Sequence, residues 1–177
     1  VCAEYLDDAG DTMHRDHPGY DDVGRYVNTT GRNDFVLMKV AHDAENVYFY
    51  AQTREAITPH TDPNWMMLFI DSDGNPRTGW EGYNFVVNRK VGVLEESAGG
   101  PSTGLRTGWD WHPRAVVDYQ VQGNELWLTI PRNVLGLNGQ VRFDFKWADN
   151  MQSSDPMEFT VNGDAAPNGR FNYRYSE

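Results

Sequence analysis

Short runs in which apolar and polar residues alternate constrain this chain more than any other feature of its sequence. The clearest run is VRFDFKWAD, residues 141–149, in which Val141, Phe143, Phe145 and Trp147 alternate with Arg142, Asp144 and Lys146. A repeat of two residues is that of a β-strand with one buried face. No window of about 11 residues has a sustained apolar repeat of 3.6, so the sequence predicts strands and almost no α-helix.

Strand signals recur at short spacing along the chain. They cover residues 34–43 and 47–53, 65–71 and 83–89, 115–121 and 125–130, and then 141–149, 157–161 and 170–175. Pro131 and Gly136 suit the start and end of one short helical turn at residues 131–137. Residues 1–33 are turn-rich and are predicted to be an ordered lead-in with one strand. Residues 1–177 are therefore predicted to form a single all-β domain, an antiparallel two-sheet β-sandwich of the jelly-roll kind, with a barrel as the alternative.

The composition argues against several kinds of partner and site. The chain has a formal net charge of −11. Nucleic acids and anionic membrane surfaces both attract clustered Lys and Arg, so neither partner is predicted. The single cysteine, Cys2, excludes an internal disulfide and any zinc site built on two or more cysteines.

The loop FIDSDGNPRTGWEGYNF, residues 69–85, offers two interpretations. Asp71, Asp73 and Asn75 stand at alternate positions, as in the start of an EF-hand loop, and their oxygens suit calcium. Pro76 then replaces the glycine that an EF-hand needs, so a calcium site here would have another geometry. The alternative is a hairpin turn in which Asp71 and Asn75 accept hydrogen bonds from backbone N–H groups.

Tryptophans that lie among charged residues in loops suggest a sugar-binding surface. Flat rings stack on the apolar faces of sugars, and acids, amides or guanidinium groups bond the hydroxyls at the rim. The candidate residues are Trp80 and Glu81 in one loop, and Trp109, Asp110 and Trp111 in another. TGW occurs in both loops, at 78–80 and 107–109. This repeat is compatible with two loops that flank one binding site, or with coincidence. The alternative for these rings is a lid over one end of the sandwich.

Other tryptophans are less informative. Trp127 and Trp147 lie within strands and are predicted to be in the core or on its flank, while Trp65 begins a strand and fits either role.

The sequence gives little support for catalysis. None of the motifs G-x-S-x-G, H-E-x-x-H and S-x-x-K occurs. His14, Arg15, Asp16 and His17 stand together, but such a group in a lead-in rich in glycine and proline more often ties the chain down through hydrogen bonds. The 26 acidic residues include no pair whose spacing marks it for glycoside hydrolysis. We therefore predict that the domain is not an enzyme.

The order of its elements makes the chain similar to the family 9 carbohydrate-binding modules and the wider DOMON-like β-sandwich group. The segments that carry this resemblance, over residues 35–150, are VAHDAENVYFYAQT, NWMMLFIDSDGN, GYNFVVNR, ELWLTIPRNVLGL and VRFDFKWADN. The resemblance implies a secreted, non-catalytic domain that binds a polysaccharide or oligosaccharide, is appended to a polysaccharide-active enzyme and carries structural calcium. It adds Trp65, Asn88 and Arg89 to the candidate sugar-binding residues.

The same group includes haem-binding domains, which supply an alternative function. Haem iron would need axial Met, His or Lys ligands on facing strands. Met38, Lys39, His42, Met66 and Met67 lie in or beside predicted strands, although ordinary core packing also explains the methionines. A further alternative is a spacer domain with no ligand.

Overall fold

The computed structural model describes residues 2–12, 15–19 and 24–177. Strands make up 47% of the chain and helix 2%, and antiparallel sheets pack together. The all-β sandwich predicted from the alternating runs is therefore confirmed. Among the described residues no helix is long and apolar enough to cross a membrane.

One sheet has five antiparallel strands, and its middle strands alternate buried and half-buried side chains. The strands are β1 (Cys2–Leu6), β4 (Phe35–His42), β5 (Asn46–Thr53), β12 (Asp118–Gln122) and β13 (Glu125–Pro131). Their order across the sheet is β1-β4-β5-β13-β12. As predicted, a short turn joins β4 to β5 and another joins β12 to β13, and the strands of each pair lie side by side.

The second sheet has seven strands and lies behind the first. Its strands are β6 (Met67–Asp71), β8 (Phe85–Val87), β9 (Val93–Ser97), β11 (Trp111–Val116), β14 (Arg142–Asp149), β15 (Asp164–Ala166) and β16 (Tyr173–Ser176). The order is β11-β9-β8-β6-β14-β15, and β16 also pairs with β14. This sheet is antiparallel throughout.

Two short strand pairs complete the fold. β2 (Arg15–Pro18) pairs with β3 (Arg25–Asn28), and β7 (Gly79–Trp80) pairs in parallel with β10 (Arg106–Thr107). The lead-in thus holds three strands rather than one, and β1 belongs to the sandwich itself. His14 lies outside the described residues. Asp16 pairs with Arg25 and His17 packs edge-on against Tyr26, so these polar side chains stabilise the β2–β3 hairpin.

The main core lies between the sheets and consists of the alternate side chains of facing strands. The ring centroid of Phe49 in β5 is 5.5 Å from that of Phe143 and 5.8 Å from that of Phe145, both in β14. All three side chains are buried. Burying one such side chain contributes roughly 1.5–3 kcal/mol.

The outer face of the seven-stranded sheet is covered by a second apolar layer. Its buried members are Met67, Phe69, Trp80, Tyr83, Val86, Trp111, Ala148, Met151, Phe159 and Ala165. Lys146 lies on this face, in register with Phe69, and is fully buried rather than exposed as its place in the alternation implies. Among the described residues, no such layer covers the outer face of the five-stranded sheet, where Tyr50 and Trp127 are partly exposed.

Two local elements differ from a simple strand pattern. Residues 157–161 were expected as a strand, but they contain the four-residue helix α1 (Glu158–Val161). The ring of Phe159 lies 5.4 Å from Phe69, so tertiary packing sets this conformation. In place of one helical turn, residues 131–137 form two successive hydrogen-bonded turns. Val134 N–H donates to the carbonyl oxygen of Pro131, and Gly136 N–H donates to that of Asn133.

Candidate ligand-binding groove

A groove runs over the outer face of the five-stranded sheet. It encloses about 470 Å³, and its lining includes Lys39, Tyr48, Tyr50, Glu125 and Trp127. These side chains share one face because they alternate along their strands with buried residues that point into the core. In β13, for example, Trp127 lies between the buried Leu126 and Leu128.

Strand register brings these residues into rows across the sheet. One row reads Glu4, Lys39, Tyr50, Trp127 and Gln120 from β1 to β12. The neighbouring row reads Cys2, Ala41, Tyr48, Thr129 and Asp118. The small Ala41 and Thr129 beside large aromatic neighbours leave the space that forms the groove.

Three rings form an aromatic surface in the groove. The Tyr50 and Trp127 centroids are 5.5 Å apart and their planes are inclined by 59°, so the two rings touch without stacking on each other. Tyr48, in the next row, is 38% exposed. Partly exposed rings on a rigid sheet can stack on a ligand with little loss of side-chain entropy.

Polar groups border the rings and are held by defined partners. The Tyr50 hydroxyl donates to Glu125 Oε1 at 2.6 Å. Burial, and then this hydrogen bond, raise the pKa of the phenol. Lys39 Nζ pairs with Glu4 Oε1 at 2.7 Å and lies 5.8 Å from the Tyr50 ring centroid. Thr129 and Gln120 add a hydroxyl and an amide. The groove therefore offers both donors and acceptors beside apolar ring faces.

The turn between β4 and β5 fixes one of the rings. The Tyr48 hydroxyl donates to Asp43 Oδ2 at 2.6 Å. Asp43 Oδ1 accepts the N–H groups of Glu45 and Asn46, both at 2.8 Å. These hydrogen bonds, that of Tyr48 above all, lower the pKa of Asp43 to about 2.

The tryptophans predicted to stack on a ligand lie elsewhere, and most are interior. Trp65, Trp80 and Trp111 are 1%, 3% and 7% exposed. Trp65 donates its indole N–H to Thr58 O, and Trp80 and Trp111 belong to the second apolar layer. Only Trp109 keeps a partly exposed ring. Trp80 and Trp111 thus pack over the outer face of the seven-stranded sheet, whereas Trp65 packs in the main core.

The structure does bring the two TGW segments together. Thr107 pairs with Trp80 in the β7–β10 pair, and the Trp80 and Trp109 ring centroids are 4.6 Å apart. The resulting contact fills the second apolar layer rather than lining an open slot.

The polar residues predicted for the sugar site are dispersed, and three of the four are occupied by other contacts. Arg89 makes a bidentate pair with Glu95, at 2.7 and 2.8 Å. The buried Asn88 donates to Met66 O and accepts from Gly92 N–H. Glu81 is held by Arg106 and Arg170.

Asp110, the fourth of them, is exposed. Its Oδ1 is 3.5 Å from His112 Nε2. It therefore stays accessible to a ligand, but on the opposite sheet from the groove.

The loop at 71–75 has the hydrogen bonds of the turn interpretation. Asp71 Oδ1 accepts Gly74 N–H at 2.7 Å, Asp73 Oδ1 accepts Asn75 N–H at 2.9 Å, and Asn75 Oδ1 accepts Arg77 N–H at 3.0 Å. Burial and the neighbouring Asp73 raise the pKa of Asp71 to about 7. Backbone and side-chain donors within the loop account for its conformation, and calcium binding there stays a prediction.

The candidate haem ligands are not arranged as an axial pair. Met38 and Met66 are buried in the main core, whereas Met67 points into the second layer. Lys39 is paired with Glu4, and His42 Nδ1 lies 2.8 Å from the Tyr175 hydroxyl. Core packing explains the methionines.

The groove was not predicted from the sequence, although the alternation of residues along β5 and β13 indicates it. Trp127 was assigned to the core or its flank, yet it alternates with Leu126, Leu128 and Ile130, which points it to the other face of the strand. Tyr48 and Tyr50 alternate with Phe49 in the same way.

Comparison of the chain with protein-family models and with curated proteins gave no match. The function of the groove must therefore be inferred from its own chemistry.

Proposed function

We propose that this protein is a non-catalytic carbohydrate-binding module that holds a neutral polysaccharide or oligosaccharide in the groove on the five-stranded sheet. The observation that carries the proposal is the row of partly exposed rings, Tyr50 and Trp127 with Tyr48 beside them, on an otherwise polar sheet face. Rings flanked by hydroxyl, amide, carboxylate and ammonium groups match both the apolar and the hydroxylated faces of a sugar.

The charges around the groove support a neutral ligand. Asp43, Glu4, Glu125 and Asp118 lie in or beside it, and Lys39 is the one cationic side chain in the two rows of residues described above. An acidic polysaccharide would meet an excess of like charge, in a chain whose net charge is −11.

Binding is favoured over hydrolysis because two of the groove carboxylates are already engaged. Glu125 accepts the Tyr50 hydroxyl and Glu4 pairs with Lys39. In keeping with the resemblance to carbohydrate-binding modules, we propose that the domain is secreted and is appended to a polysaccharide-active enzyme.

The proposal is tested by affinity electrophoresis through gels that contain neutral polysaccharides (β-glucan, xylan or mannan) or acidic ones (pectate or alginate), followed by calorimetry on any ligand found. Wild type should be retarded by at least one neutral polysaccharide and not by the acidic ones. Trp127→Ala and Tyr50→Ala should each lose roughly 5- to 150-fold in affinity, the usual cost of about 1–3 kcal/mol for removing an interface aromatic.

Two matched controls keep this test specific. Tyr119 is 39% exposed, against 38% for Tyr48, but its ring contacts Trp65 on the other side of the sheet. Tyr119→Ala and Trp109→Ala should therefore bind as wild type does, while Tyr48→Ala should bind more weakly. If no neutral polysaccharide retards the protein, the domain is a spacer and the proposal is wrong. If Trp109→Ala loses binding and Trp127→Ala does not, the binding site lies in the loops and not in the groove.

A further inference from the structure

One edge of the five-stranded sheet is open along β12 (Asp118–Gln122). Among the described residues, β12 pairs only with β13, and all five of its residues are exposed. An exposed strand edge presents unpaired N–H and C=O groups, which can pair with another strand. The groove face of the sheet ends at this edge, where Gln120 stands beside Trp127.

The β12–β13 hairpin determines which backbone groups of β12 point away from the sheet. In an antiparallel pair, residues that bond the neighbouring strand alternate with residues whose N–H and C=O groups point away from it. Gln122 and Glu125 flank the two-residue turn and are in register, so they form a hydrogen-bonded pair. The other even-numbered residues of β12 therefore also bond β13. The N–H and C=O groups of Tyr119 and Val121 face outward.

Contacts beyond the strand agree with this alternation and limit the length of the free edge. The odd-numbered Val117 donates its N–H to Gly92 O rather than to β13. Within the described part of the chain, no group bonds the outward N–H and C=O of Tyr119 and Val121. The free edge is therefore short, and it offers two donors and two acceptors.

The sequence of β12 lacks the features that usually protect an exposed strand edge. Lysine, proline and β-bulges are common means of blocking such an edge. The edge strand β11 of the other sheet has Pro113, the charged Arg114 and a bulge between Pro113 and Ala115. In contrast, β12 reads DYQVQ, in which Asp118 is the one charged residue.

Two apolar side chains on the inner face of β12 are incompletely covered. Tyr119 and Val121 are in register with Leu128 and Leu126, which are buried in the main core. Each of the two β12 side chains is nevertheless 39% exposed. The core thus ends before the sheet does, and one more strand beside β12 would cover this apolar surface.

We propose that β12 pairs with β12 of a second copy of this chain, antiparallel and about a two-fold axis at Gln120. In this register Tyr119 of each copy lies opposite Val121 of the other, and each of these two pairs exchanges two N–H···O=C hydrogen bonds. Aromatic and β-branched residues pair favourably across strands. Asp118 lies opposite Gln122, so no like charges face each other.

A second copy fits this edge because the strand is complementary to itself. All outward donors of one copy meet outward acceptors of the other, and the apolar residues of both copies cover one another. The two five-stranded sheets become one continuous sheet with both grooves on the same side, because the two-fold axis is perpendicular to the sheet. The row of Tyr50, Trp127 and Gln120 then continues into the same row of the second copy.

Sedimentation velocity over roughly 1–500 µM protein tests the proposal, in about 0.15 M salt to screen the net charge of −11. Wild type should convert reversibly from monomer to dimer. Val121→Lys should weaken dimerisation at least tenfold, because it places an ammonium group at a paired position in both copies. Leu6→Lys is the matched control, since Leu6 is 76% exposed on β1, the edge strand at the other end of the same sheet. It should dimerise as wild type does.

Amide hydrogen exchange of wild type identifies the surface without any substitution. The amides of Tyr119 and Val121 should exchange rapidly in dilute protein and become protected as the concentration rises. Those of Gln120 and Gln122, which bond β13 in the monomer, should change little.

The proposal is overturned if wild type stays monomeric throughout this concentration range. It is also overturned if a folded Val121→Lys dimerises as wild type does, or if Leu6→Lys abolishes the dimer. If Val121→Lys does not fold, the exchange pattern decides, and a dimer that leaves Tyr119 and Val121 unprotected contradicts the proposal. These results are independent of sugar binding, because none of the measurements needs a ligand.

Discussion

At the scale of single residues, the direction of a side chain decides whether it can meet a ligand. Trp127 and Trp147 are both strand tryptophans, yet Trp147 is 0% exposed in the main core and Trp127 is partly exposed on the groove. Their positions in the alternation of β13 and β14 explain the difference. Loop tryptophans carry no such local signal, because the surroundings of a loop depend on tertiary packing.

Asp43 is predicted to act as a positioning residue for the groove. Since its pKa is lowered to about 2 from an ordinary 3.8, its ionised form stabilises the turn above about pH 4. That contribution is lost as the pH falls through about 2. The carboxyl carbon resonance of Asp43 should therefore titrate near pH 2. Asp43→Ala should weaken ligand binding by roughly 2- to 10-fold through loss of the Tyr48 hydrogen bond.

If Asp43 instead titrates near 3.8, or if Asp43→Ala leaves affinity unchanged, the turn does not hold Tyr48 for the ligand. Tyr48→Phe is the companion variant, because it removes the same hydrogen bond and keeps the ring.

At the scale of elements, the two sheets differ in what covers their outer faces. The outer face of the seven-stranded sheet is covered by α1 and by the loops around Trp80 and Trp109. Gly79 allows this layer to pack closely, because at its φ of 64° a Cβ would lie 1.9 Å from Tyr83 O. Within the part of the chain that the structure describes, one sheet is therefore buried on both faces and the other is partly exposed on its outer face.

Removal of Trp111 is predicted to destabilise the domain. Its ring contacts Phe69, Trp80 and Trp109, with centroids 6.5, 6.3 and 5.6 Å away. Trp111→Ala should lower the free energy of unfolding by about 3–5 kcal/mol. Urea denaturation measures this, and Trp109→Ala, at the partly exposed edge of the layer, should cost less. If Trp111→Ala is as stable as wild type but no longer binds sugar, Trp111 belongs to the ligand site and does not stabilise the layer.

The strands could be predicted from sequence because alternation is a local property. The run at 141–149 and the pairs 34–43 with 47–53 and 115–121 with 125–130 all form strands. What could not be predicted depends on contacts between distant segments. Residues 157–161 turn into a helix to place Phe159 on Phe69, and Lys146 is buried because the chain near Pro167 passes over it and accepts its hydrogen bond.

The candidate site was only partly foreseeable for the same reason. The row of Tyr50 and Trp127 follows from strand alternation and register, whereas burial of Trp65, Trp80 and Trp111 follows from how the segments around them pack.

At the scale of the whole molecule, the first and last strands close one edge of the sandwich. The Tyr5 hydroxyl donates to Arg174 O at 2.9 Å, and the Tyr173 hydroxyl donates to Leu6 O at 2.8 Å. The groove occupies the outer face of the five-stranded sheet.

The most direct test of the groove is the indole N–H spectrum of ¹⁵N-labelled protein during titration with a neutral oligosaccharide. The six tryptophans give up to six resonances, which single-site variants assign. We predict that the Trp127 resonance shifts with ligand, and that those of the buried Trp65, Trp80, Trp111 and Trp147 stay in place. A titration in which Trp109 or Trp111 shifts while Trp127 does not would contradict the assignment of the ligand site to the five-stranded sheet.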